Sequence, residues 1–139
     1  DVTGIEITPN AIESARVSAK RHGFPASVGP SPDLETPVRA RFEAADATAW
    51  AAAQPAHARP EAIVVNPPRR GIGETLARFL DDSGPAMLAY SSCNPVTLAA
   101  DLARMPNYRV ARARLIDMFP HTAHNEALVL LTRATAGER

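Results

Sequence analysis

Strand-like and helix-patterned runs alternate along this chain at short spacing, and that alternation restricts the fold more than any other feature. DVTGIEI reads as a short buried strand. TPNAIESARVSAKRHG follows with helix signals: Thr8 can cap, Pro9 suits the first helical position, and Gly23 suits the residue just past the end. Ile12, Ala15 and Ala19 fall on one side, a narrow stripe fit to pack on a sheet. FPASVGPSPDLETP has four prolines in fourteen residues and reads as a long loop. VRARFEAAD alternates as a second strand ending at Asp46, and a short Ala-rich helix is expected over residues 47–53. EAIVVNPP is a third strand, apolar on both faces as central parallel strands are, and broken by its two prolines. GETLARFLDD is an amphipathic helix with Leu76, Phe79 and Leu80 inward. AMLAYSS is a fourth strand, and NPVTLAADLARM a helix with Pro95 near its start. YRVARARLIDMF and NEALVLLTR read as an antiparallel pair, followed by a polar tail over residues 134–139.

This order predicts an α/β domain over residues 1–133: a parallel sheet with helices on its faces and an antiparallel addition at the end. Ligands on such sheets bind beyond the carboxyl ends of the strands. The residues at those ends are Glu6, Asp46, Asn66 and Cys93, all polar or reactive. Composition narrows the function classes. Fifteen basic residues balance fifteen acidic ones, so no global field draws the chain onto nucleic acid. No apolar run approaches the ~20 residues of a membrane span. One cysteine forms no internal disulfide and no Cys-pair metal site, which suits a reducing cytoplasm.

Each strand end carries two readings. Glu6 either accepts hydrogen bonds from a ribose diol or is a solvated residue before a helix. Asp46 either accepts from an adenine amino group or caps the next helix. In NPPRRG, two prolines remove two backbone donors and fix an extended exit from the strand, which holds Asn66 toward a cleft. Asn-Pro-Pro followed by an aromatic residue marks methyltransferases acting on base amines, but here the fourth residue is Arg69. Cys93 is either an inert core thiol or a nucleophile at the mouth of the Pro95 helix, where amide dipoles favour a thiolate. Glu126 enters an otherwise apolar strand, as a partner for an Arg or as a general base. His121 and His124 lack a third ligand at a sensible spacing, so no metal site is expected.

Four segments together, GIEITPNAIESA, IVVNPPRRGIG, YSSCNPVTLAADL and LIDMFPHTAHNEALVLL, give the chain a family resemblance. It resembles the C-terminal catalytic domain of the RNA uracil-5-methyltransferases, over residues 4–131 and in family order. DMFPHTAH makes it most similar to the 23S rRNA branch. The resemblance implies a Rossmann-like, mostly parallel methyltransferase sheet using S-adenosylmethionine. It implies Cys93 as nucleophile, Glu126 as base, Glu6 and Asn66 against the cofactor, and Asp46 near its adenine. It also implies that Cys93 adds to carbon 6 of a flipped or single-stranded uridine, so that carbon 5 becomes nucleophilic.

Family members begin this domain with a Gly-rich strand, turn and helix that have no counterpart here. The resemblance therefore implies an interrupted sheet with unpaired edges. It implies that an N-terminal RNA-binding part of the same protein is missing, that this piece binds cofactor weakly and is inactive alone, and that it could self-associate to fill the gap. A base-amine methyltransferase and a non-catalytic packing module are the alternatives.

Overall fold

The structure, a computed structural model, describes residues 1–24, 26–27, 40–55, 59–118, 120–122 and 124–134. It divides into two compact units, Asp1–Gln54 and Pro55–Arg139.

The first unit runs β1 (Val2–Glu6), α1 (Pro9–Arg21), β2 (Ala26–Ser27), β3 (Ala40–Ala44) and α2 (Ala47–Ala53). Its strands are all parallel, in the order β1-β3-β2, with Val2 opposite Ala40 and Glu6 opposite Ala44. Helix α1 starts where expected, with Pro9 in its first turn, but the Thr8 hydroxyl makes no capping bond. The backbone carbonyl of Thr8 takes that role, accepting from Ala11 and Ile12 at 3.1 and 3.2 Å. The helix ends in a Schellman motif: Phe24 N donates to Ala19 O, Gly23 N donates to Lys20 O, and Gly23 takes φ +78°. Ile12 and Ala19 are buried and Ala15 half-buried, as the stripe requires. Within the expected long loop, Ala26 and Ser27 instead pair with β3 as a short strand, while residues 25 and 28–37 lie outside the described residues.

The second unit runs β4 (Ala62–Val65), α3 (Gly73–Ser83), β5 (Met87–Ser92), α4 (Pro95–Ala103), β6 (Tyr108–Ile116) and β7 (Glu126–Arg133). The sheet order is β4-β5-β7-β6. β4 and β5 are parallel, and β7 is antiparallel to both of its neighbours. Leu76, Ala77 and Leu80 of α3 are buried, as are Leu88 and Tyr90 of β5, Leu98 of α4, and Val129 and Leu131 of β7. Alternate residues of β5 are therefore core residues, and Met87 on the opposite face is exposed. β4 departs from the expected strand buried on both faces. It is the edge of its sheet, and Val64 is 76% exposed.

Arg133 closes the C-terminal end of α3. Its guanidinium donates to the carbonyls of Leu80, Asp81 and Gly84 at 2.8 to 3.2 Å and lies 4.9 Å from the Tyr108 ring centroid. Helix-end carbonyls lack intrahelical partners, so a fork of N–H donors suits that position. The described strands form two sheets, one in each unit. Among the described residues no helix is long and apolar enough to cross a membrane. Ala134 is described, and the rest of the polar tail, residues 135–139, is not.

Candidate active site

In the first unit, Glu6 and Asp46 stand at the ends of adjacent parallel strands. Both are exposed. Glu6 turns back on its own chain, accepting from Thr8 N through Oε1 at 2.9 Å. That amide bond favours the ionised form and holds the Glu6 carboxyl below the usual carboxylate range. Asp46 is the N-cap of α2, its Oδ1 accepting from Ala49 N at 2.9 Å. The capping reading of Asp46 is thus realised, with one oxygen engaged.

In the second unit, Asn66 directly follows β4 and is exposed. The loop after it has little hydrogen bonding of its own beyond Gly71 N to Pro68 O at 2.9 Å, because Pro67 and Pro68 carry no N–H. Residues following Cys93 hold it instead. Asn94 Nδ2 and Thr97 Oγ1 both donate to Arg69 O, at 2.9 and 3.0 Å, and Ile72 N donates to Asp101 Oδ2 at 2.8 Å. The NPPRRG and SSCNP segments are therefore bonded to one another. Arg69 offers its carbonyl to this contact, and its side chain is exposed.

Cys93 is half-buried and free, one residue past β5 and one before Asn94, the N-cap of α4. Asn94 Oδ1 accepts from Val96 N at 3.2 Å. Glu126 is half-buried and opens β7. The β5–β7 register pairs Ser91 with Leu128 and Ser92 with Ala127. Ser92–Ala127 is the last pair of that ladder, with Cys93 the next residue after β5 and Glu126 the first residue of β7. The Ser91 hydroxyl donates to Glu126 Oε1 across the ladder, so the carboxylate is tethered at the end of β5 that leads into Cys93.

Residues 56–134, more than half of the chain, match the family described as tRNA (Uracil-5-)-methyltransferase. The chain belongs to that family.

Its relatives include the 23S rRNA (uracil(747)-C(5))-methyltransferase RlmC of Cronobacter sakazakii, 46% identical over 132 residues, covering 95% of this chain and 31% of that protein. The RlmC protein of Proteus mirabilis is 46% identical over 131 residues, covering 94% and 31%. The chain thus spans about a third of the length of the curated relatives it matches. Among solved structures it is similar to the Pyrococcus abyssi tRNA (uracil-54, C5)-methyltransferase in complex with S-adenosyl-L-homocysteine. The TM-score there is 0.74 at 29% identity, covering 95% of this chain and 29% of that one. TrmN from Thermus thermophilus shares the fold, with a TM-score of 0.62 at 18% identity, covering 96% and 36%.

Two polar residues beside the candidate site are not evident from the sequence. Ser91 is an ordinary strand residue until the register of β5 on β7 is known. Asp101 is buried, and its polar partners lie up to 29 residues away along the chain. Tyr90 Oη donates to Asp101 Oδ2 at 2.7 Å. Burial first, and this bond second, push the Tyr90 hydroxyl well above the ordinary tyrosine range. A weak signal for Asp101 existed: it follows Asn94 and Thr97 at helical spacing, so the three share one face of α4.

Proposed function

We propose that this chain is the catalytic part of an RNA methyltransferase that converts a uridine of 23S rRNA to 5-methyluridine with S-adenosylmethionine. The observation that supports this reading is the Ser91–Glu126 hydrogen bond, which ties the carboxylate to the strand that ends one residue before Cys93, the chain's only thiol. Carbon 5 of uracil is too weak a nucleophile to attack a sulfonium methyl unaided. The Cys93 thiolate adds to carbon 6, and the ring electrons move to give an enolate with carbon 5 electron-rich. S-adenosylmethionine, when bound, supplies the electrophilic methyl group. Glu126 then removes the carbon 5 proton, and re-formation of the 5,6 double bond expels the Cys93 thiolate. The uridine must leave its stack to be reached, so a flipped or single-stranded base is the substrate form.

The residues present suit the cofactor. Glu6 and Asp46 each commit one carboxylate oxygen to a backbone amide of their own unit. The second oxygen of each suits the ribose hydroxyls and the adenine amino group respectively. Asn66, exposed after β4, offers both an amide donor and a carbonyl acceptor. Residues 1–133 form the methyltransferase part in this reading. A reducing cytoplasm suits the free thiol.

A base-amine methyltransferase is less favoured, because that reading leaves Cys93 and Glu126 without roles and finds Arg69 in place of a stacking aromatic. The test is methyl transfer from labelled S-adenosylmethionine to unmodified 23S rRNA by the native polypeptide, followed by nucleoside analysis. The label is expected in 5-methyluridine. Label on an exocyclic amine contradicts the proposal.

A further inference from the structure

The loop that carries Asn66 is fastened from outside by side chains of the segment 94–101. Asn94 and Thr97 hold the Arg69 carbonyl, and Asp101 holds the Ile72 amide. Asp101 is 1% exposed, a depth at which a carboxylate is costly unless its oxygens are bonded. They are bonded here. Oδ2 accepts from Ile72 N at 2.8 Å and Tyr90 Oη at 2.7 Å, and Oδ1 lies 3.2 Å from Arg104 Nη1. The same Oδ2 would stand 2.2 Å from a Cβ added at Gly71, which takes φ +81°. The loop backbone therefore comes down onto the carboxylate at the one residue without a side chain in the way.

The geometry points to Asp101 as a positioning residue that fixes the Asn66 loop against the segment beginning at Cys93, so that a cofactor-binding residue and the nucleophile are set by one buried carboxylate. This rests on the roles proposed above for Asn66 and Cys93. Those roles demand it, because in-line methyl transfer needs the reacting atoms held within about an ångström. An apolar residue at 101 could fill the core between α4 and β5, but it could not accept from both Ile72 and Tyr90. The N-cap Asn94 with Thr97 and Asp101 of α4 thus forms a polar stripe bonded to the loop.

The native polypeptide is compared with Asp101→Ala, Asp101→Asn and Tyr90→Phe. Amide exchange at Ile72 is followed together with KM for S-adenosylmethionine and the rate of covalent adduct formation on 5-fluorouridine RNA, per folded molecule. In Asp101→Ala, Ile72 exchange is expected to rise about tenfold or more while the β5–β7 ladder stays protected. KM should rise and the adduct rate fall, each about tenfold. Asp101→Asn, which keeps the shape and one acceptor, should recover most of both. If Asp101→Ala does not fold, Tyr90→Phe decides, with a rise of about threefold in Ile72 exchange and KM expected for loss of one hydrogen bond.

Unchanged Ile72 exchange in a folded variant overturns the inference. So does faster exchange with unsubstituted KM and adduct rate, which leaves Asp101 a purely structural residue. If the unsubstituted protein forms no adduct, the proposed reaction fails, and Ile72 exchange still decides whether Asp101 holds the loop.

Discussion

Ser91 and Glu126 are hydrogen-bonded across the β5–β7 ladder, the hydroxyl donating to a carboxylate oxygen two residues before Cys93. The bond fixes where one oxygen of the proposed base lies. Ser91→Ala should therefore fold normally, with a loss near 1 kcal/mol. Its turnover should drop about tenfold as the carboxylate loses its orientation. Ser91→Thr should restore most of the rate. Steady-state kinetics beside urea denaturation separates the two effects.

Gly71 and Gly73 both take positive φ, but only Gly71 is crowded. Gly73→Ala meets nothing within 4 Å and should cost about 1–2 kcal/mol, the strain of a left-handed residue. Gly71→Ala adds a clash with the Asp101 carboxylate and should cost clearly more, about 3 kcal/mol or beyond. Urea midpoints of the two variants give the comparison, and equal midpoints would count against the close approach at Asp101.

Strand ends were legible because strand and helix periods differ and because prolines and glycines punctuate them. The limits of α2, the Schellman ending at Gly23, and the antiparallel β6–β7 pair all follow from local pattern. What could not be read depends on contacts distant in sequence. Asp101 meets Ile72 across 29 residues, and Ser91 meets Glu126 across 35. The exposure of Val64 was also hidden, since an apolar run does not reveal whether its strand lies at a sheet edge. The capping reading of Asp46 needed the Ala49 amide to be placed, and it leaves the second carboxylate oxygen uncommitted by that bond.

Arg133 should matter to stability more than its half-exposed position suggests. Arg133→Ala removes the guanidinium donor from the carbonyls of Asp81 and Gly84, and from that of Leu80, which keeps Gly84 N, and it removes the cation over Tyr108. A loss of about 2–3 kcal/mol is expected. Arg133→Lys should recover only part, because an ammonium cannot reproduce the fork. Thermal melts of both variants provide the check.

Alkaline stability follows from Tyr90. Its hydroxyl is held protonated in the folded chain, by burial first and by Asp101 second, so its folded pKa lies above the unfolded one. Such a group contributes stability that is present below the unfolded value, about 10, and lost as pH rises above it. Tyr108 is shifted the same way by burial, with the Arg133 charge opposing. Stability should therefore fall above about pH 10, and Tyr90→Phe should blunt that fall. A pH series of urea midpoints reports the difference in slope.

The proposed reaction depends on a bond between the Cys93 sulfur and a pyrimidine ring. The direct measurement is peptide mass mapping after incubating the native polypeptide with S-adenosylmethionine and 23S rRNA containing 5-fluorouridine. A fluorinated, methylated nucleotide attached to the peptide bearing Cys93, and lost in Cys93→Ala, is the predicted result. Full methyl transfer to ordinary rRNA by Cys93→Ala, with no adduct in the unsubstituted protein, would rule out Cys93 as the nucleophile.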